Sequence, residues 1–213
     1  ALAHLRYGLG DAGGFVLLTG EVGTGKTTVS RTLLQELDSN TDVAFILNPT
    51  LSELELLAAI CDELKIRYKK ADASLKLLGD KITQRLQKNH QADKKTILII
   101  DEAQHLQPAV LEQLRLLTNL ETNTKKLLQV ILIGQPELQQ LLQRNDLRQL
   151  AQRITARYHL LPLDLNEVQH YLKYRLQVAG CSRPVFSPKA VTALYQQSGG
   201  IPRLLNLLAD RAM

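Results

Sequence analysis

The chain has 213 residues, 45% hydrophobic and 22% charged, enough apolar content to bury a sizeable core and too much for a disordered polymer. Aromatics make up 4% and Trp is absent, so the core must be built from Leu, Ile, Val and Ala. The formal charge is +5, no run of about 18 apolar residues offers a membrane span, and Cys61 and Cys181 lack a CxxC partner. The two cysteines read as buried thiols in a reducing compartment rather than as a disulfide framework or a metal site.

In chain order, residues 1–9 read as the end of a helix, broken by Asp11-Ala12-Gly13-Gly14. Phe15 to Thr19 is a continuous apolar run, as expected of a strand buried on both faces. A glycine-rich loop and a helix over about 25–37 follow it. Val43 to Leu47 is a second buried strand, closed by Asn48-Pro49. Leu54, Leu57, Ala58, Cys61 and Leu64 recur at helical spacing, as do Leu75, Leu78, Ile82 and Leu86. Thr96 to Ile100 is a third strand, ending in Asp101-Glu102. Pro108 marks a helix start, and Val110, Leu111, Leu114 and Leu117 form its buried face.

Leu128 to Ile133 is the fourth strand, followed by Gly134-Gln135-Pro136 and a helix from Leu138 to Leu150. Tyr158 to Leu161 makes a short fifth strand. Strands alternating with helices imply a parallel sheet covered on both faces. From Leu163 onward the strand signals stop, and helices are expected at about 166–179, 188–198 and 203–212. The expected organisation is therefore an α/β core over 1–162 and a small all-helical unit over 163–213.

Gly20-Glu21-Val22-Gly23-Thr24-Gly25-Lys26-Thr27 matches GxxxxGK[ST], between a buried strand and a helix. Glycines let successive backbone N–H groups turn inward around phosphate oxygens, and the helix N-terminus adds unpaired donors and partial positive charge. The stretch Glu21 to Thr28 is thus the expected nucleotide cradle. Lys26 supplies a point charge for the β- and γ-phosphates, and Thr27 an oxygen for Mg²⁺. Asp101, at the carboxyl end of a central strand, can hold the metal's hydration shell. Glu102, one residue on, can polarise an attacking water. Asp-Glu merely capping the next helix is the blander alternative, and the phosphate loop argues against it.

Gln135 follows the fourth strand, where its amide can orient water or touch the γ-phosphate. Arg148, Arg153 and Arg157 lie just before the expected fifth strand, and Arg153, then Arg157, is favoured as an arginine finger acting on a neighbouring subunit. Gly199-Gly200-Ile201-Pro202-Arg203 opens the last helix. Cations are disfavoured in a first helical turn, so Arg203 there implies a compensating anion such as bound nucleotide.

Taken together, the phosphate loop, Ile99-Ile100-Asp101-Glu102, Gln135, the Arg148–Arg157 cluster and Gly200-Ile201-Pro202-Arg203 resemble the AAA+ ATPase superfamily, in its usual order and over nearly the whole chain. That resemblance implies a sheet of order 5-1-4-3-2, a small helical lid, ATP or ADP with Mg²⁺ between them, and a site completed in trans in a nucleotide-dependent homo-oligomer. More narrowly, Asp101-Glu102-Ala103-Gln104, Gly134-Gln135-Pro136-Glu137-Leu138 and Gln152-Arg153-Ile154-Thr155-Ala156-Arg157-Tyr158-His159-Leu160 resemble the general secretion pathway protein A family of bacterial type II secretion. Members continue into a membrane span and a periplasmic peptidoglycan-binding region and help assemble the outer-membrane secretin. The resemblance therefore implies a cytoplasmic domain of an inner-membrane protein, a membrane-bound secretion partner, and peptidoglycan contact only through regions this chain lacks. The start at Ala1, in mid-pattern and without an initiator Met, reads as an excerpt of a longer protein.

Related ATPases serve pilus biogenesis or transposition with most of the same motifs. Residues 65–95 hold ten Lys and Arg against three Asp, which gives some support to a nucleic-acid-dependent ATPase of transposition or initiator type. A solvated helix face explains the same charges, and no helix-turn-helix is evident. A nucleotide switch that does not hydrolyse is the remaining alternative.

Overall fold

The computed structural model describes residues 5, 14–47, 49–120, 126–181 and 183–213. Most of the helix end expected over 1–9, its break at 11–13, and Asn48 lie outside the described residues. Two compact units are present. One is built on Thr27–His159 with the strand reaching Thr19, and the other on Leu160–Met213 with the loop Gly20–Lys26.

The first unit is organised by five strands: β1 (Gly14–Gly20), β2 (Thr41–Ile46), β3 (Lys95–Ile100), β4 (Gln129–Gly134) and β5 (Ile154–Leu160). They form one parallel sheet in the order β2-β3-β4-β1-β5, the order that the AAA+ resemblance implies. Register pairs Phe15 with Val130, Leu17 with Leu132, Leu98 with Val130 and Ala44 with Leu98. Successive side chains of a strand point to opposite faces. Phe15, Leu17, Leu98, Ile100, Val130 and Leu132 therefore share one face and one core cluster. Their alternates Val16, Leu18, Ile97, Ile99, Ile131 and Ile133 are buried as well, which requires cover on the second face.

Helices α1 (Lys26–Glu36), α2 (Glu53–Glu63), α3 (Leu75–Gln91) and α4 (Pro108–Leu117) separate the strands. Local chemistry sets their starts. Ser52 and Glu55 close a capping box on α2, Ser74 caps α3, and Pro108 takes the first position of α4. The polar fastening of α3 is unusual. Asp42 on β2 accepts from Arg85 Nη2 at 2.8 Å and Asn89 Nδ2 at 2.9 Å, and the same Asn89 amide donates to Thr96 on β3 at 2.9 Å. Asn89 is 4% exposed, so these bonds satisfy a polar group that would otherwise be costly to bury. One charge of the basic 65–95 stretch, Arg85, is therefore paired with an acid of the sheet at a half-buried position.

The structure corrects four expectations. Strand β2 lies at a sheet edge, where only Ala44 and Ile46 are buried and Leu47 falls beyond its end, exposed. On α2, Leu56 and Ile60 join the core while Leu54 is exposed, and on α3 Leu75 is exposed in the first turn. The helix expected from Leu138 to Leu150 is broken into α5 (Glu137–Leu142), a tight helical turn at Asn145–Leu147 and α6 (Arg148–Ala151). The cause is spacing. In one continuous helix Leu147 would sit about half a turn around from Leu138, yet Leu138, Leu142, Leu147 and Leu150 are all buried. Finally, β5 begins at Ile154, with alternate residues half-buried and exposed, as on a sheet edge. Arg157 thus lies within the strand and only Arg148 and Arg153 precede it.

The second unit contains α7 (Leu165–Val178), α8 (Pro188–Ser198) and α9 (Pro202–Ala212). Asp164 and Glu167 form a capping box, Ser187 caps α8, and Pro202 starts α9. Val168, Leu172, Val191, Leu194, Leu205 and Ala209 make its core, with Leu163, Tyr171, Phe186, Tyr195 and Leu208 packed around them.

Candidate nucleotide site

The loop Gly20–Lys26 folds on itself. Thr24 donates its backbone N–H and its hydroxyl to the carbonyl of Glu21, at 3.3 and 2.8 Å. Lys26, only 6% exposed, donates its Nζ to the carbonyls of Gly20 at 2.8 Å and Glu21 at 3.0 Å. The ammonium is held beneath the loop by backbone oxygens. Val22 and Glu21 at the loop tip are exposed, as are Thr27 and Thr28 in the first turn of α1.

In the same unit Arg203 reaches this loop through its backbone. Its N–H donates to the carbonyl of Gly23 at 3.2 Å, and a Cβ on Gly23 would come within 2.7 Å of the Arg203 Cβ. Gly23 also holds φ +84°, so both its conformation and its neighbour require glycine. The backbone of Gly-Ile-Pro-Arg thus meets the loop.

The acid pair lies in the first unit. Asp101 is 4% exposed, and its Oδ2 accepts the Thr27 hydroxyl at 3.2 Å. The pair is contributed by the start of α1 and the end of β3, and both are hard oxygen donors of the kind Mg²⁺ takes. That donor set fits the cation inferred from the sequence. The Asp101 Oδ1 accepts the backbone N–H of Glu102 at 2.9 Å. Glu102 adopts a left-handed backbone, φ 53° and ψ 35°, and starts a tight helical turn over Ala103–His105. Its Oε2 accepts from Gln104 Nε2 at 2.6 Å and from Gln135 Nε2 at 3.2 Å.

The fold therefore brings Thr27 to Asp101 and Gln135 to Glu102. Arg148, Arg153 and Arg157 lie apart from these pairs. Arg148 starts α6 and is exposed; Arg153 lies before β5, with its carbonyl taken by the Phe15 N–H at 3.1 Å. Arg157, exposed on β5, donates to the carbonyl of Ala151 at 3.1 Å. Two contributors escaped sequence reasoning. Gln104 has the acid-pair partnership just described; it stands in the Asp101-Glu102-Ala103-Gln104 stretch that carries the resemblance, but nothing in that stretch gives it a role. Thr19, fully buried at the end of β1, bonds His159 Nδ1 at 3.0 Å and Gln139 Nε2 at 2.5 Å, and looked like one more residue of an apolar strand. Of the two cysteines expected to be buried, Cys61 is buried and Cys181 is only half-buried. Burial pushes the Cys61 thiol up to about 11, away from reactivity.

Comparison with known proteins places this geometry in a family. Residues 10–142 match the family model described as an AAA domain. The general secretion pathway protein A of Aeromonas hydrophila is 67% identical over 213 residues, covering 100% of this chain and 39% of that protein. The chain thus spans about two-fifths of that relative's length. Among solved structures, Cdc6p from Pyrobaculum aerophilum superposes with a TM-score of 0.72 at 18% identity, over 91% of this chain and 52% of that one. The Aeropyrum pernix ORC2 protein, solved in ADPNP-ADP complexes, gives 0.64 at 15% identity, over 95% and 64%. At such identities these two establish the fold alone. With the family model covering more than half of its residues, this chain belongs to the AAA domain family, related along its entire length to general secretion pathway protein A.

Proposed function

We propose that the chain binds ATP with Mg²⁺ and hydrolyses it as the cytoplasmic ATPase module of a type II secretion protein. The observation that carries the chemistry is the Thr27 Oγ1 to Asp101 Oδ2 pairing at 3.2 Å, with Glu102 the next residue. It joins the helix that follows the phosphate loop to the strand that ends in acids.

In this reading the amides of residues 21–28 and the Lys26 ammonium grip the phosphates, with Lys26 exchanging a carbonyl for a phosphate oxygen. Thr27 and Asp101 would hold Mg²⁺, which when bound neutralises charge on the β- and γ-phosphate oxygens. Glu102 accepts a proton from the attacking water, and Gln135 orients that water or the γ-phosphate. Arg203, already at the loop through its backbone, presents its side chain to nucleotide, while Arg153, then Arg157, acts on a neighbouring copy in a homo-oligomer. The secretion role rests on 67% identity to a relative of which the chain covers 39%, and the membrane-bound partner on the family resemblance alone.

Glu102→Gln should keep Mg-ATP affinity within about twofold and lower turnover by about 10²–10⁴, the usual worth of a positioned base. Calorimetry and phosphate release, across a range of protein concentrations, read the two quantities. Failure of the unsubstituted chain to take up adenine nucleotide with magnesium would end this reading. Turnover stimulated by DNA and falling steeply with salt would instead favour the nucleic-acid-dependent role suggested by residues 65–95.

A further inference from the structure

Glu102 is held on one carboxylate oxygen by two amides that are themselves joined. Gln104 Nε2 donates to Glu102 Oε2 at 2.6 Å, and Gln104 Oε1 accepts the backbone N–H of Gln135 at 3.1 Å. Gln135 Nε2 then returns to Glu102 Oε2 at 3.2 Å, closing a ring across the ends of β3 and β4. The chemistry of position 104 is narrowly set. A backbone N–H can only donate and a carboxylate can only accept, so the bridging side chain must offer one acceptor and one donor. A primary amide does both. A carboxylate at 104 would repel Glu102, and an apolar side chain would leave both ends unmade.

Two further features point to a built arrangement. A Cβ on Gly134 would come within 2.8 Å of Gln104 Oε1 and of Leu138 Cδ2, so glycine there leaves room for the amide. Glu102 itself holds a left-handed backbone, a conformation that non-glycine residues rarely adopt. A carboxylate aimed by an unfavourable backbone needs its orientation fixed by partners.

We infer that Gln104 is a positioning residue for Glu102, tying the hydrolytic carboxylate to the backbone at the end of β4. The inference rests on the ATPase reading above. When the Gln135 side chain turns toward a phosphate oxygen, Glu102 loses one of its donors and Gln104 keeps it in register with the Gln135 main chain. The base and the γ-phosphate-facing residue are then set by one support.

The test is Gln104→Met, which keeps volume and unbranched shape while removing both polar ends. The expected result is a turnover about tenfold lower with Mg-ATP affinity within about twofold, because small misplacements of reacting groups cost rate rather than binding. Gln104→Glu should fall at least as far. In a Glu102→Gln background Gln104→Met should add nothing further in single-turnover measurements, since it acts through the residue already replaced. Amide exchange at Gln135 should quicken in Gln104→Met, as its N–H loses the acceptor. Undiminished turnover in Gln104→Met, or an equal further loss in the Glu102→Gln background, would overturn the inference while leaving the ATPase reading intact. No nucleotide turnover by the unsubstituted chain at any concentration would overturn both.

Discussion

The two units of the chain solve burial differently. In the first, aliphatic strands covered on both faces gather residues from α2, α3, α4, α5 and α6 into one continuous core. In the second, three short helices share a core of Val168, Leu172, Val191, Leu194, Leu205 and Ala209, and leave Tyr174, Val178, Leu204, Leu207 and Met213 exposed. Small units bury a smaller share of their surface, and their stability is correspondingly modest. The sheet unit is thus suited to hold Asp101, Glu102, Gln104 and Gln135 in fixed register. The helical unit, carrying the loop Gly20–Lys26 and Arg203 on a smaller core, is expected to open more readily than the sheet unit.

The strongest way to break this contrast is a matched pair of core truncations. Leu98→Ala on β3 should destabilise by about 2–5 kcal/mol and lower amide protection throughout the sheet. Leu205→Ala should reduce protection in α7, α8 and α9 while β1, β3 and β4 keep theirs. Hydrogen exchange read by mass spectrometry distinguishes the two. Equal loss of sheet protection in both variants would show a single cooperative block and remove the contrast.

Gly200→Ala sharpens it from the helical side. Gly200 holds φ +75°, and a Cβ there would fall 1.9 Å from the carbonyl oxygen of Leu163, whose own N–H donates to the Gly200 carbonyl at 2.9 Å. Strain and overlap together should cost about 1–3 kcal/mol, seen as faster exchange at the start of α9. An unchanged exchange pattern would mean that this turn relaxes freely.

The smallest effect lies in the sheet unit and depends on pH. Burial pushes the Asp42 carboxyl up, but hydrogen bonds from Asn89 and Arg85 with the charges of Arg85 and Lys94 outweigh it and hold it below its ordinary 3.8. A lowered folded value stabilises at pH above the ordinary one, and that contribution disappears as pH falls through the lowered value. Asp42→Asn should therefore cost about 1 kcal/mol near neutrality, with the gap to the parent closing below about pH 4. Urea midpoints measured over that interval test the sign. A gap that widens on acidification would refute it.

Much of the sheet unit was legible because parallel strands buried on both faces must be apolar throughout, and such runs as Phe15 to Thr19 or Thr96 to Ile100 admit few other readings. Edge strands obey a weaker rule. Thr155 and Arg157 are exposed on β5, so the strand's first half carries no apolar run to announce it. Leucine-rich helices were equally ambiguous. Leu54 and Leu56 both fit an amphipathic α2, and the sheet beneath it selected Leu56.

By itself the sequence determined the parallel α/β architecture, the three closing helices and the candidate site residues, since periodicity, caps and the glycine-rich loop are local properties of the chain. Only tertiary structure decided which carboxylate oxygen meets which donor. The Gln104 bridge from Glu102 to Gln135, and the Asp42–Arg85–Asn89 fastening, join residues that no spacing rule connects, because hydrogen bonds depend on where separate strands and helices end in space.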